Sequence, residues 1–312
     1  MTPTYRRPLF LFSAHLETIY PALARNVSDV PYERERIPTA DDDFLDLDWL
    51  RQGSRKLVII SHGLEGNSSR AYMKGMARTF YRNGFDVLAW NFRGCGEEMN
   101  KQLRFYHSGA TDDLSWVIQH AMKREYTEID LIGFSLGGNV TLKYLGEKNV
   151  PPIVKKAVTF SVPLDLHGSC LKISKRSNWV YSKRFLDNLK KKVIRKSEVM
   201  KGLNIEGIDN IKTLVEFDDR YTAPLHGFKD AIDYYTRCSS LHFLKHISIP
   251  VLIVNALNDP FLSPTCYPHE AVSGNRSLTL ESPRYGGHVG FAQFNKNGLY
   301  WSEERALAFL TT

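Results

Sequence analysis

The chain has 312 residues, 43% of them hydrophobic, which suits one sizeable α/β domain and excludes a disordered chain. Its formal charge of +7 is concentrated, because Lys172 to Lys201 carries eleven Lys/Arg against Asp187 and Glu198, leaving that segment at +9 and the remainder at −2. With no zinc-finger, KH or RNP-type motif beside it, the basic segment argues against nucleic acid and reads as a solvated face or a surface for anionic lipid.

Residues 1 to about 40 show no periodicity and are expected to wrap irregularly around the outside. Arg6 and Arg7 before an apolar run imitate a leader, but His15 and Glu17 cut the run short, so neither signal peptide nor transmembrane helix is expected. Phe44 to Leu50 alternates apolar and acidic residues, the pattern of an antiparallel strand with one wet face. Lys56 to Ser61 is a continuous apolar run, as in a parallel strand buried on both faces, and empties into His62-Gly63-Leu64-Glu65-Gly66. A helix is predicted over 71–81 and a second buried strand over 85–90. Thr111-Asp112-Asp113 then supplies the N-cap and acidic first turn of a helix reaching about Lys123.

Leu131 to Asn139 runs from apolar residues through Gly133-Phe134-Ser135-Leu136-Gly137 into an amphipathic stretch ending near Leu145, which spells a strand, a sharp turn and a helix. Another strand is predicted over 156–161. From about 165 to 246 the rhythm becomes helical, with lysines between apolar positions, and predicts an inserted helical cap. Within it, a helix from about Lys183 to Met200 sets Phe185, Leu189, Val193 and Met200 on an apolar stripe. Lys190, Lys191, Arg195 and Lys196 form its solvent face. Strands over 250–255 and 277–280, the loop Tyr285 to Gly290 and a helix over 302–310 complete the chain. Cys95, Cys170, Cys238 and Cys266 lie far apart, which suggests neither a disulfide framework nor a zinc knuckle and favours a reducing, cytoplasmic setting.

Strands alternating with helices predict a mainly parallel twisted sheet flanked by helices, and in such sheets ligands bind at the carboxyl ends of the strands. Ser135, Asp259 and His288 all follow predicted strands there, in the chain order of an α/β-hydrolase triad. Ser135 is the expected nucleophile, His288 its base and Asp259 the group that orients the imidazole. The backbone amides of Leu136 and Leu64 are the expected oxyanion donors. Asp112 and Asp113 read as helix-start residues, Asp218 and Asp219 fall in the cap, and His62 and His107 are expected to brace loops. No metal-ligand, P-loop or dinucleotide motif appears, so no cofactor is expected.

Beyond these residues the sequence resembles the YheT-like branch of the α/β-hydrolases, which contains predicted esterases and relatives linked to lipid esters. The resemblance runs through Ala14-His15-Leu16-Glu17-Thr18-Ile19-Tyr20-Pro21, His62 to Gly66, Asn91-Phe92-Arg93-Gly94-Cys95, Tyr106-His107-Ser108-Gly109, Gly133 to Asn139, Glu216-Phe217-Asp218-Asp219, Asp259-Pro260-Phe261 and Gly286 to Phe291. It departs from the family at Ser13-Ala14 and at Glu97. The resemblance implies the same triad at Ser135, Asp259 and His288. The whole reading is a single α/β-hydrolase domain over 1–312 with its cap at about 165–246. It is expected to act as a serine carboxylic-ester hydrolase on small-molecule esters of short to medium acyl chain or lipid type. Acyl transfer to an alcohol by the same triad is the nearest alternative, and a non-catalytic binding protein on a hydrolase scaffold a further one. The sequence leaves the oligomeric state open.

Overall fold

A computed structural model, describing residues 4–147 and 149–312, is built on an eight-stranded sheet. Its strands are β1 (Glu33–Pro38), β2 (Phe44–Leu50), β3 (Lys56–Ser61), β4 (Asp86–Asn91), β5 (Glu128–Phe134), β6 (Val154–Phe160), β7 (Val251–Val254) and β8 (Leu278–Glu281). They lie in the order β1-β2-β4-β3-β5-β6-β7-β8. The β1–β2 and β2–β4 pairs are antiparallel and the other pairs parallel. Helices of at least eight residues are α1 (Ala14–Ala24), α2 (Ala71–Arg82), α3 (Thr111–Met122), α4 (Leu136–Glu147), α5 (Leu166–Ile173), α6 (Trp179–Val199), α7 (Ala231–Cys238) and α8 (Trp301–Leu310).

The apolar runs follow from burial on two sides. Leu57 and Ile59 of β3 pack into the core that α3 and α4 cover, while Val58 and Ile60 pack into the one that α2 and α8 cover. Register then aligns the strand ends: Ser61 lies opposite Gly133, Gly133 opposite Thr159, Phe160 opposite Val254, and Val254 opposite Glu281. The loops leaving β3, β5, β7 and β8 therefore open on one edge.

Three sequence expectations are corrected. The first 40 residues are not irregular, since they hold α1 and β1. β1 reads Glu-Arg-Glu-Arg and has no apolar period; it is held by charge. Arg34 Nε lies 2.8 Å from Asp48 Oδ1 and Arg36 Nε 2.7 Å from Asp46 Oδ1. For the same reason β2 has no wet face: all seven of its residues are buried, with β1 paired along its flank. At α3 the N-cap is Ala110, and Thr111 already belongs to the helix. The Thr111 hydroxyl bonds Glu147 instead, and Asp113 answers the buried Arg93, with Nη2 to Oδ1 at 2.7 Å.

Between β6 and β7, α5, α6, α7 and shorter turns form a helical insertion with small cores of its own, one of them centred on Leu186, Val193, Leu214 and Phe217. α6 begins at Trp179, a turn earlier than expected. Its basic residues also divide: Lys183, Arg184, Lys191 and Arg195 are exposed, but Lys192 and Lys196 turn inward. Lys196 Nζ donates to Asn100 Oδ1 at 2.7 Å and lies over the Phe105 ring, so it belongs to the packing and not to a solvent face. Among the described residues no helix is long and apolar enough to cross a membrane.

Candidate active site

Ser135 sits between β5 and α4 with φ 51°, a left-handed backbone unfavourable for serine. The turn is tight on both sides. A Cβ on Gly133 would lie 2.6 Å from the Gly137 carbonyl oxygen, and one on Gly137 2.5 Å from that of Ser61, so neither position accepts a side chain. Ser135 N–H donates to Phe160 O at 2.8 Å, tying the turn to the neighbouring strand end.

His288 Nε2 lies 3.0 Å from Ser135 Oγ, and His288 Nδ1 lies 2.8 Å from Asp259 Oδ2. Asp259 is buried, and its Oδ1 also accepts the Phe261 N–H at 2.9 Å. A carboxylate on Nδ1 keeps the proton there and leaves Nε2 free to accept one from the serine. The Phe261 ring packs on the imidazole, with centroids 4.3 Å apart.

Periodicity did not reveal what holds the His288 loop. His288 N–H donates to Thr18 Oγ1 at 3.0 Å, and Val289 N–H to Ser161 Oγ at 2.8 Å. Gly287 N–H donates to Asn258 Oδ1 at 3.1 Å, while Asn258 Nδ2 bonds the buried Glu17. Burial pushes the Glu17 carboxyl upward against its hydrogen bonds from Asn258 and Gly286. Glu17 and Thr18 stand on α1, inside the first motif of the resemblance; that motif was their signal. Asn139 of α4 was likewise missed: its Nδ2 donates to Ser108 O and Cys238 O, both at 2.8 Å, and its Oδ1 accepts Ser240 N–H at 2.9 Å.

The loop after β3 is braced as expected. Phe92 N–H donates to His62 Nε2 at 3.1 Å, and His62 Nδ1 donates to the Gly63 carbonyl at 2.8 Å. Complete burial pushes His62 down to about 3, so at neutral pH the ring is neutral, with its single N–H on Nδ1 facing Gly63. His107 Nδ1 accepts Gly109 N–H at 3.1 Å within its own loop. Leu64 and Leu136 line the same chamber as Ser135 and His288, and among the described residues neither of their amides donates to another group. Asp218 and Asp219 stand apart from His288: Asp218 accepts from Tyr235 Oη at 2.6 Å and Thr222 Oγ1 at 2.5 Å, and Asp219 from Ala231 N–H at 3.0 Å.

Two spaces meet at Ser135. One, of about 120 Å³, runs beneath the insertion and is walled mainly by apolar side chains including Leu166, Phe185, Leu189, Val193 and Phe217. The other, of about 210 Å³, opens beside α1 past Pro21, Leu23, Tyr72 and Tyr181. Ser135, His288, Leu64, Phe185 and Phe261 line both.

A mainly parallel sheet whose central strand ends in a Gly-x-Ser-x-Gly elbow, with a histidine and an aspartate arriving from later strand ends, defines the α/β-hydrolases. A model of the alpha/beta hydrolase fold matches residues 56–288, and the chain belongs to that family, in its YheT-like branch. The candidate esterase YheT of Escherichia coli is 33% identical over 96% of this chain and 91% of its own. The phospholipase ABHD3 of Homo sapiens is 28% identical over 94% of this chain and 75% of its own. Among solved structures, the Pyrococcus furiosus esterase Pf2001 superposes with a TM-score of 0.63 at 19% identity, over 93% of this chain and 95% of that one. The chain is thus an esterase-like hydrolase by family, and small-molecule esters are the substrates its family implies.

Proposed function

We propose that the protein is a serine carboxylic-ester hydrolase working through an acyl-enzyme. The observation that carries this reading is the unbroken hydrogen-bond chain Ser135–His288–Asp259, at 3.0 and 2.8 Å, on a strained elbow. His288 Nε2 takes the Ser135 proton as Oγ attacks the ester carbonyl, and Asp259 stabilises the imidazolium. The carbonyl oxygen, now negative, turns to the amides of Leu64 and Leu136, which border the same chamber. The intermediate collapses, His288 hands its proton to the departing alcohol, and water repeats the sequence on the acyl-enzyme. The Ser135 proton leaves with the alcohol, and the proton that water gives up to His288 restores the Ser135 hydroxyl.

The whole chain is read as one domain with the insertion as its cap. The apolar space beneath the insertion suits a short to medium acyl chain, and the phospholipase name of one relative supports lipid-type esters. The outer space leaves room for the alcohol half, or for an alcohol that takes the acyl group in place of water. The exposed Lys183, Arg184, Lys191 and Arg195, with Trp179 61% exposed nearby on the same helix, favour contact with an anionic lipid surface. Four unpaired cysteines fit a reducing, cytoplasmic setting.

The test is a panel of chromogenic esters of rising chain length, with and without an added alcohol acceptor, on wild type and Ser135→Ala. Hydrolysis should fall by roughly 10⁴ to 10⁶ in kcat in the variant, at unchanged Tm. Undiminished turnover by Ser135→Ala removes the serine from its role, and an ester product that grows with added alcohol assigns acyl transfer.

A further inference from the structure

Glu65 follows the oxyanion residue Leu64 and has φ 53°, a left-handed conformation that a glutamate adopts only when its surroundings impose it. The surroundings are specific. Glu65 N–H donates to Tyr106 Oη at 2.9 Å, and Tyr106 O–H donates back to Glu65 Oε1 at 2.7 Å, so one phenol grips both the backbone and the side chain of this residue. The same Oε1 receives Lys192 Nζ at 2.5 Å. Lys192 comes from α6, in the helical insertion; its ammonium lies 4.8 Å from the Tyr106 ring centroid and 3.1 Å from Cys95 Sγ. Both charged side chains are nearly buried, at 11% and 10% exposure. Burial works against the lysine's charge, but Cys95 and Glu65 opposite outweigh it and hold it protonated.

A buried ion pair is weak support for stability, since replacing both partners with neutral groups is often harmless, whereas removing one strands a charge. What this pair does beyond packing is connect two parts of the chain that must be in register for the reaction. One end stands on the insertion that walls the space beside Ser135, the other directly after Leu64, the residue read as an oxyanion donor. The loop between has little slack: Gly66 N–H closes it on Gly63 O at 3.0 Å, and Gly63 N–H is held by Tyr72 Oη at 3.0 Å.

On the reading of Ser135 as nucleophile and Leu64 as oxyanion donor, we infer that Glu65 and Lys192 are positioning residues which make the aim of the Leu64 amide depend on docking of the helical insertion. Losing an oxyanion donor outright costs about 10²- to 10³-fold in kcat, and a donor that is present but loosely aimed should cost less, about 10- to 100-fold. Lys192 also borders the acyl space, but its ammonium is turned onto Glu65, Cys95 and the Tyr106 ring, so substrate binding there should change little.

The experiment measures kcat, KM and Tm on a p-nitrophenyl ester for wild type, Lys192→Arg, Lys192→Met, Glu65→Gln and the double variant Glu65→Gln/Lys192→Met. Fluorophosphonate labelling of Ser135 is followed in each. Lys192→Met and Glu65→Gln should lose about 10- to 100-fold in kcat with KM within about threefold, and Lys192→Arg should recover to within about threefold of wild type. In the double variant Tm should return toward wild type while kcat stays at least about tenfold down, which a purely structural pair would not do. If a single variant does not fold, Lys192→Arg and the double variant decide. Wild-type kcat in the double variant, or losses confined to KM, overturns the inference alone. A wild type that neither hydrolyses esters nor labels at Ser135 overturns the underlying reading as well.

Discussion

At the strand edge the candidate site atoms are placed by backbone, and in the helical insertion the polar contacts are made by side chains. Ser135 is held by its φ, its flanking glycines and a bond to the next strand, and His288 by main-chain bonds to Thr18 and, through Val289, to Ser161. Lys192, Lys196 and Asp218 instead reach their partners through their side chains. The difference teaches what a change does: a new side chain in the insertion alters the walls of the space beneath it, whereas a new side chain at Gly133 or Gly137 dismantles the elbow.

The largest contrast should lie between two aspartates. Asp259→Asn keeps the geometry but favours the wrong His288 tautomer, and should lower kcat by about 10⁴. Asp218→Asn alters the acyl space without touching His288 and should stay within about tenfold in kcat, with any change falling first on KM. Steady-state kinetics at matched Tm checks this; a larger loss from Asp218→Asn would move the acid into the insertion.

A smaller effect follows from pH. Burial pushes Asp218 up to about 6 against its hydrogen bonds from Thr222 and Tyr235. A carboxyl whose folded pKa lies above its unfolded value binds a proton on folding, so its contribution to stability is full below about pH 4 and is lost as pH rises through about 6. Tm of wild type minus Tm of Asp218→Asn should therefore shrink by a few degrees between about pH 4 and 6. A difference that stays constant across thermal melts in that range contradicts the assignment.

The smallest effect concerns the outer face of α6. Cosedimentation with anionic vesicles should weaken as salt rises, each cation near the surface contributing about 1 kcal/mol. It should largely vanish when Lys183, Arg184, Lys191 and Arg195 become Gln, while hydrolysis of a short soluble ester stays insensitive to salt. Lys192 and Lys196 are left out because they point inward. Wild type that ignores such vesicles at low salt reduces this face to solvation.

How legible these regions were in the sequence follows the same division. Buried parallel strands announce themselves as apolar runs, so β3, β4, β5 and β7 could be read directly, whereas β8, Leu-Thr-Leu-Glu, is only partly buried and carries a weaker signal. β1 could not, because cross-strand Arg–Asp pairs replace the apolar alternation by which strands are recognised. Helical spacing located α6 but gave no sign that Lys192 and Lys196 turn inward, since their partners Glu65 and Asn100 lie about 100 residues away in the chain. Glu17 and Thr18 stayed hidden for the same reason: their partners lie more than 200 residues distant, and only the family motif marked them.

The most direct test of the central claim, that Ser135 carries the acyl group, is to quench the protein in acid during turnover of a fast-acylating ester and map the adduct by peptide mass spectrometry. The acyl mass should appear on the peptide containing Ser135, be absent in Ser135→Ala, and persist longer when Asp259→Asn slows deacylation. An adduct on another residue, or continued turnover by Ser135→Ala, would contradict it.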